Sequence, residues 1–197
     1  PHFLFNVLNT IGRLAFFENA KMTEDVVYAF SDMMRYILRK STQPLSSLGD
    51  EITYVLNYLK IQKIRLGSRL QYTIAVPEEY YMVKLPFLSL TTIVENSIKH
   101  AVENKASGGM IKVSAREQGE DLYVDIVDDG DGISPARITS ILRGDAYKND
   151  KEGAVGMYNI NKRLIHCFGH EYALNIESEN EPSMGTKVTI KVPLKNE

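Results

Sequence analysis

A histidine and an asparagine stand one helical turn apart at the start of the chain, in the stretch HFLFN. His2 and Asn6 are followed by Asn9 and Arg13 at spacings of 3 and 4, so that all four share one face of a helix. A neutral imidazole is a nucleophile near pH 7, and an amide one turn away can orient the ring. Nucleophilic chemistry at His2 and a merely polar helix end both fit this pattern.

A second polar group lies in the stretch ENSIKH, which begins at Glu95. Asn96, Lys99 and His100 take positions i, i+3 and i+4 of a predicted helix and therefore share a face. An amide oxygen suits a Mg²⁺ ion that also holds water and phosphate oxygens, and a neighbouring lysine neutralises phosphate charge. A solvated helix face is the alternative interpretation, because charged runs on helices usually face water.

An acidic stretch with two glycines, DDGDG, follows a predicted strand. Gly130 and Gly132 allow the backbone to turn sharply, so that a planar base can approach while the carboxylate of Asp128 accepts an amino hydrogen. An EF-hand loop begun at Asp125 is excluded, because Ala136 would then stand where a bidentate glutamate is required. A plain acidic turn remains open.

Two further glycines, Gly153 and Gly156, stand at the beginning of a predicted helix. Glycines there let a phosphate reach backbone N–H groups at a helix N-terminus, where the helix dipole also favours an anion. An ordinary loop is the alternative. The sequence contains no Walker P-loop, no dinucleotide-binding fingerprint and no protein-kinase catalytic loop, which argues against the common nucleotide folds.

Apolar periodicity predicts that helices position the first group. Helices are expected in the opening segment, over residues 24–39 and over residues 47–66, with short polar joints between them. The opening helix has one apolar face, formed by Leu4, Val7, Leu8, Ile11, Leu14 and Ala15. Three helices cannot bury all of their apolar faces alone, which predicts a bundle completed by a second copy of the chain.

From Gly67 onward, strand-like alternation is mixed with helical periodicity. Strands are expected over residues 70–76, 110–117, 122–127, 172–177 and 186–193, and helices over 86–102, 134–142 and 155–168. The mixture predicts an α+β sandwich with strands on one side and helices on the other.

Composition limits the classes of partner. The chain has 197 residues, 44% of them hydrophobic, and a net charge of −2, so no basic field favours nucleic acid or a membrane surface. The single cysteine, Cys167, cannot form an internal disulfide, which favours a reducing, cytoplasmic compartment. No apolar run is long enough to span a membrane. The absence of an initiator methionine leads us to expect a longer parent protein, with its N-terminal part missing here.

Taken in order, these motifs resemble a known family. Residues 95–100, 128–132, 153–156 and 185–186 resemble the asparagine box, the two glycine boxes and the closing box of the GHKL ATP-binding fold. The opening PHFLFNVLN resembles the phosphoacceptor box of LytS-type sensor histidine kinases. Arg35-Tyr36, Leu48-x-x-Glu51 and residues 58–65 also have counterparts in that family, so the resemblance covers essentially the whole chain.

The resemblance implies a role for each matching position. His2 would be phosphorylated by ATP and would pass the phosphoryl group to an Asp of a response regulator, with Asn6 orienting the ring and Glu95 a candidate base. The cofactor-binding set would be Asn96 on Mg²⁺, Lys99 and His100 beside the phosphates, Asp128 on adenine, Gly130 and Gly132 shaping its loop, Gly153 and Gly156 flanking a lid, and Thr186.

The resemblance also implies an organisation. Residues 1–68 would form a helical dimerisation and phosphoacceptor domain, and residues 69–197 a GHKL ATP-binding domain, with a hinge near residues 66–69. The chain would be the cytoplasmic part of a homodimeric bacterial inner-membrane sensor, and only a preceding part of the parent protein would touch the membrane.

One departure from the family leaves alternatives open. Ala154 stands where the family has a glycine, and a methyl group there would stiffen the lid or crowd a phosphate. A dimeric scaffold that binds a response regulator but little or no ATP is therefore one alternative. An ATPase or a protein-serine kinase of the same fold is another.

Overall fold

The computed structural model describes residues 2–40, 42–145, 154–178 and 185–195. Six helices are described: α1 (His2–Phe17), α2 (Lys21–Lys40), α3 (Leu48–Leu66), α4 (Ser89–Ser97), α5 (Pro135–Arg143) and α6 (Ala154–Phe168). The strands are β1 (Leu45–Ser47), β2 (Leu70–Ala75), β3 (Lys84–Pro86), β4 (Gly109–Gln118), β5 (Asp121–Asp128), β6 (Asn175–Ser178) and β7 (Thr186–Pro193). Within these ranges no helix combines the length and the hydropathy needed to cross a bilayer.

A five-stranded sheet forms the centre of the fold, in the order β2-β4-β5-β7-β6. β2 runs parallel to β4, and the other neighbours are antiparallel. On β5, Leu122, Val124, Ile126 and Asp128 alternate inward and are buried, as expected for a sheet with one face on a core. The predicted α+β class is confirmed.

The first two helices form a hairpin. α1 buries Leu8, Gly12 and Ala15 and packs against α2, where a side chain at Gly12 would meet the ring of Tyr28. The rest of the predicted apolar face, namely Leu4, Val7, Ile11 and Leu14, stays between 37% and 54% exposed. The predicted single face therefore divides into a buried stripe and an exposed one.

α3 packs into the hydrophobic core that covers the inner face of the sheet. The continuous buried cluster begins with Leu48, includes Ile52 and Leu59 of α3, and extends to Ile93 of α4 and to the inner face of the sheet. The buried residues of α1 and α2 are not part of this cluster. The domain division at residue 68 stays a prediction, but no break in packing marks the predicted hinge near residues 66–69.

The prediction that Pro86 begins a helix is wrong. Pro86 ends β3 and lies opposite Leu45 in a two-stranded antiparallel ribbon, where a residue without an N–H is tolerated. α4 begins only at Ser89, after Leu88, whose φ of 58° breaks the helical path. The short strand β1 lies in a segment that we predicted to be a polar joint, because three residues are too few to show alternation.

The helix expected to run to residue 102 changes its geometry part-way. After α4 the chain continues as a π-helix from Ile98 to Glu103. Such wide turns occur mostly as short insertions and are frequent at functional sites. The segment carries Lys99 and His100, two of the predicted site residues.

The packing of α3 predicts a difference between two leucines on the same helix. Leu59→Ala is expected to lower the free energy of unfolding by about 2–5 kcal/mol, because Leu59 is fully buried among the sheet-side residues. Leu56→Ala, at a 43% exposed position, is the matched control and should change it by less than about 0.5 kcal/mol. Urea denaturation measures both, and equal small effects would contradict the described packing.

Candidate functional site

A cavity of about 180 Å³ lies where α4, the loop after β5, α5, α6 and β7 meet. Its apolar wall includes Ile93, Ile141, Met157 and Val188. Its polar lining includes six predicted site residues, namely Asn96, His100, Asp128, Gly130, Gly132 and Thr186. An apolar slot with a few converging polar groups is the usual form of a small-molecule site.

Asp128 is the buried anion of this cavity. It ends β5 on the inner face of the sheet and is only 7% exposed. The hydroxyl of Ser97 donates to Oδ2 at 2.8 Å, and the backbone N–H of Gly130 donates to Oδ1 at 3.0 Å. Burial raises the pKa of Asp128, while these two hydrogen bonds and one from the N–H of Thr186 oppose the rise. These three hydrogen bonds leave one of the about four lone-pair positions of the carboxylate with which to accept an amino hydrogen from a ligand.

The loop after Asp128 is fixed to the end of the sheet. Gly132 has a φ of 76°, and a side chain at Gly130 would come within 2.8 Å of Asp128 Oδ1. The N–H of Ile133 donates to Ser178 Oγ at 2.7 Å, and that hydroxyl donates to the carbonyl of Gly185. The loop is thus shaped by the lack of side chains at two positions and anchored by a neighbouring strand.

Asn96 extends the polar lining along α4. Its Nδ2 atom is buried and has no hydrogen-bond partner within the described part of the chain. The two ends of an amide are assigned from their partners, so this group can offer either a donor or the hard oxygen that Mg²⁺ prefers. The described residues contain no cluster of three or more His, Cys, Asp or Glu side chains that could hold a metal ion. A Mg²⁺ ion at Asn96 would therefore need oxygens from its ligand and from water.

Glu95 does not line the cavity; its carboxylate interacts electrostatically with two tyrosines of α3. Burial, and after it the charge of Glu95, raises the pKa of both Tyr54 and Tyr58, and the pKa of Tyr58 rises to about 12. Desolvation raises the pKa of Glu95 itself. The two adjacent residues Glu95 and Asn96 thus serve different sides of α4, and Lys99 also lies outside the cavity lining.

Of the two glycines predicted near the start of α6, only Gly156 is among the described residues. Gly153 lies outside the described residues. Gly156 belongs to α6, and a side chain there would come within 2.6 Å of Thr92 Cγ2 on α4. In this structure Gly156 allows α6 to approach α4 closely, and the cavity lining does not include it.

His2 and Asn6 form a pair on the hairpin. The Asn6 Nδ2 atom lies 3.2 Å from His2 Nδ1, one turn apart on the exposed surface of α1. No described residue of α1 lines the cavity, so the structure does not bring the predicted phosphoacceptor to the predicted nucleotide site.

Sequence reasoning missed five polar residues of the cavity lining, namely Ser97, Asn104, Asp131, Ser134 and Arg137. Ser97, which donates to Asp128, directly follows Asn96, but nothing in a single sequence connects it to a strand 31 residues away. Arg137 lines the cavity from α5. The helix that carries Arg137 was predicted over residues 134–142, but no signal in the sequence placed it beside the cavity.

Comparison with known proteins agrees with this arrangement. The family described as "Histidine kinase-, DNA gyrase B-, and HSP90-like ATPase" matches residues 87–196, and the family described as "Histidine kinase" matches residues 1–70. The chain belongs to the histidine kinase-, DNA gyrase B- and HSP90-like ATPase family. The resemblance to sensor histidine kinases seen in the sequence is thereby confirmed.

Individual relatives match this chain over its whole length. Sensor histidine kinase BtsS of Escherichia coli K12 is 34% identical over 197 residues, which are 100% of this chain and 32% of the relative. Sensor protein LytS of Bacillus cereus is 32% identical, over 99% of this chain and 32% of its own length. The chain therefore spans about a third of the length of these relatives.

A solved structure supports the fold alone. The histidine kinase domain of the Erythrobacter litoralis blue-light activated histidine kinase superposes with a TM-score of 0.52 at 18% identity, covering 88% of this chain and 75% of that one.

The geometry predicts that the charge of Asp128 contributes to nucleotide binding. Asp128→Asn is expected to weaken MgATP binding about tenfold or more, because hydrogen bonds to charged groups contribute about 1.5–3 kcal/mol. Asp125→Asn, on the same strand but the opposite face of the sheet, is the matched control and should leave the affinity within about twofold. Isothermal titration calorimetry measures both, and unchanged affinity in Asp128→Asn would contradict the assignment.

Proposed function

We propose that this chain is the kinase portion of a two-component sensor histidine kinase. It transfers the γ-phosphoryl group of MgATP to His2 and from there to an aspartate of a response regulator. The observation that carries the proposal is one cavity in which Asn96, Asp128, Gly130 and Gly132 converge, in a chain whose separate helical hairpin presents a histidine.

The cavity supports binding of the nucleotide by its base. The apolar part of the lining suits a planar ring, and Asp128 is the group that would accept the adenine amino hydrogen, with Thr186 beside it. Asn96 would hold Mg²⁺, with Lys99 and His100 near the phosphates. When bound, Mg²⁺ supplies charge neutralisation of the phosphates and of the leaving group.

The His2–Asn6 pair supports nucleophilic attack by one defined nitrogen. The structure places Asn6 Nδ2 beside His2 Nδ1; with the amide turned over, so that its oxygen accepts from Nδ1–H, the lone pair of His2 lies on Nε2, which faces away from Asn6. The Nε2–P bond then forms as the bond from phosphorus to the β,γ-bridging oxygen breaks, and ADP leaves. The Nδ1 proton is lost to solvent afterwards. Phosphohistidine is a high-energy phosphoramidate, which suits transfer to a carboxylate.

The hairpin supports a homodimer. Leu4, Val7, Ile11 and Leu14 form an exposed apolar stripe on the helix that carries His2, and a second copy would cover it. His2 does not reach the cavity of its own chain in this structure, so it would meet the nucleotide bound to the second copy of the homodimer. We place this kinase portion in the cytoplasm, as part of a membrane-anchored sensor.

Labelling with γ-phosphate from ATP tests the assignment of His2. The protein is expected to take up acid-labile, base-stable label in the presence of Mg²⁺, and His2→Gln should abolish it. Asn6→Ala is expected to lower the rate about tenfold, because the ring loses its orienting partner. Asn9→Ala, on the same polar stripe one turn further on, is the control and should label at the normal rate.

Other outcomes identify the alternatives. Label retained in His2→Gln would overturn the phosphoacceptor assignment, and acid-stable label would indicate a serine kinase. Release of inorganic phosphate without labelling would indicate an ATPase. Failure to bind nucleotide in calorimetry would favour a scaffold that binds only a response regulator.

A further inference from the structure

A carboxylate with no surface exposure lies between the helical hairpin and α4. Glu51 of α3 is 0% exposed and accepts four hydrogen bonds. We call this group the Glu51 cluster; its donors are the Tyr36 hydroxyl at 2.7 Å, the Ser46 hydroxyl at 2.8 Å, the Leu88 N–H at 2.7 Å and the Leu90 N–H at 3.2 Å. The proposed chemistry does not use this carboxylate, although burying a charge is costly unless it is well paired.

Two of the four donors belong to the start of α4. No side chain of its own caps this helix, and Leu88 holds a φ of 58°, which is unfavourable for a residue with a side chain. Glu51 replaces the missing cap from another helix, and its negative charge lies at the positive end of the helix dipole. The same segment is held from its other side, where Arg163 Nη1 donates to the carbonyl of Phe87 at 2.5 Å.

One donor belongs to the hairpin. Tyr36 lies near the end of α2, is 7% exposed, and packs its ring against Tyr54 of α3 and Phe87 before α4. Burial and the charge of Glu51 raise the pKa of Tyr36, so the hydroxyl keeps its proton and remains a donor. The carboxylate of Glu51 thus accepts from the hairpin at Oε1 and, at Oε1 and Oε2, from Leu88 before α4 and Leu90 within it.

We propose that Glu51 is a positioning residue for phosphoryl transfer, and that its hydrogen bond with Tyr36 fixes the hairpin that carries His2 relative to α4. This inference rests on the proposed function, because the hairpin must be oriented for His2 to meet ATP. Glu51 contacts neither the cavity nor His2, and it acts through the positions of two helices.

Two variants that each remove one hydroxyl oxygen distinguish a positioning role of Glu51 from a role in stability alone. Tyr36→Phe removes the hydrogen bond from the hairpin side, whereas Ser46→Ala removes a bond to the same oxygen from β1, which is not part of the hairpin. Tyr54→Phe is a control: it removes a hydroxyl from a ring that packs against Tyr36, but none of the four hydrogen bonds of Glu51. A purely structural carboxylate would respond alike to the loss of either donor.

The experiment measures the autophosphorylation rate at saturating MgATP, the Kd for MgATP, and backbone hydrogen–deuterium exchange. Tyr36→Phe is expected to lower the rate about tenfold, to leave the Kd within about twofold, and to speed exchange in α2. Ser46→Ala and Tyr54→Phe should keep the rate within about twofold of the wild type. Glu51→Gln, which keeps the side-chain shape, should lower the rate and also speed exchange in the first turn of α4.

Each result decides the inference. A Tyr36→Phe rate within about twofold of the wild type, or an equal loss in Ser46→Ala, would overturn it. If the wild type itself takes up no label, the proposed function fails, and hydrogen exchange then decides the Tyr36–Glu51 link separately. Faster exchange in α2 in Tyr36→Phe but not in Ser46→Ala would support that link, and unchanged exchange would refute it.

Discussion

The start of α4 depends on a charge supplied by another helix. A helix whose first residues have no cap of their own, and which follows a residue of positive φ, needs an external acceptor for its free N–H groups. Glu51 provides that acceptor from the interior of the fold. Because α4 carries Glu95, Asn96 and Ser97, the direction in which this helix leaves β3 decides where the residues of the candidate site lie.

A second buried carboxylate holds the other end of the same helix. Ser97, the last residue of α4, donates to Asp128 at the end of β5. α4 is therefore fixed at its start by α3 and at its end by the sheet, and the cavity lies beside the second of these contacts. Burial raises the pKa of both carboxyls, and in both cases the hydrogen bonds that they accept oppose the rise. Buried groups of this kind are expected to set geometry more than to add stability.

Much of the fold and of the site could be predicted from the sequence. Strand β7 has the bounds predicted from alternation, and α3 and α5 begin within one residue of their predicted starts at 47 and 134, because these features depend on neighbouring residues. Asp128, Gly130 and Gly132, which the sequence placed between a strand and a loop, line one cavity, since the need for a sharp turn is local.

The rest depends on contacts between distant parts of the chain. Periodicity led to the wrong prediction that a helix begins at Pro86. The two-stranded ribbon of β1 and β3 could not be predicted, because three residues are too few to show alternation. Periodicity likewise assigned the apolar residues of α1 to one face, since only the position of α2 decides which stripe is covered. Glu51 matched a family motif in the sequence, but its partners lie 15 and 37 residues away, and a single sequence does not reveal such pairings.

A double-mutant cycle on the free energy of unfolding tests the central claim most directly. Tyr36→Phe, Glu51→Gln and the double variant are compared with the wild type by urea denaturation. If the carboxylate of Glu51 joins the hairpin to the α4 side of the fold through Tyr36, the two changes should be non-additive by about 1–3 kcal/mol. Additivity within about 0.5 kcal/mol would show that the two side chains act independently, and would contradict the account.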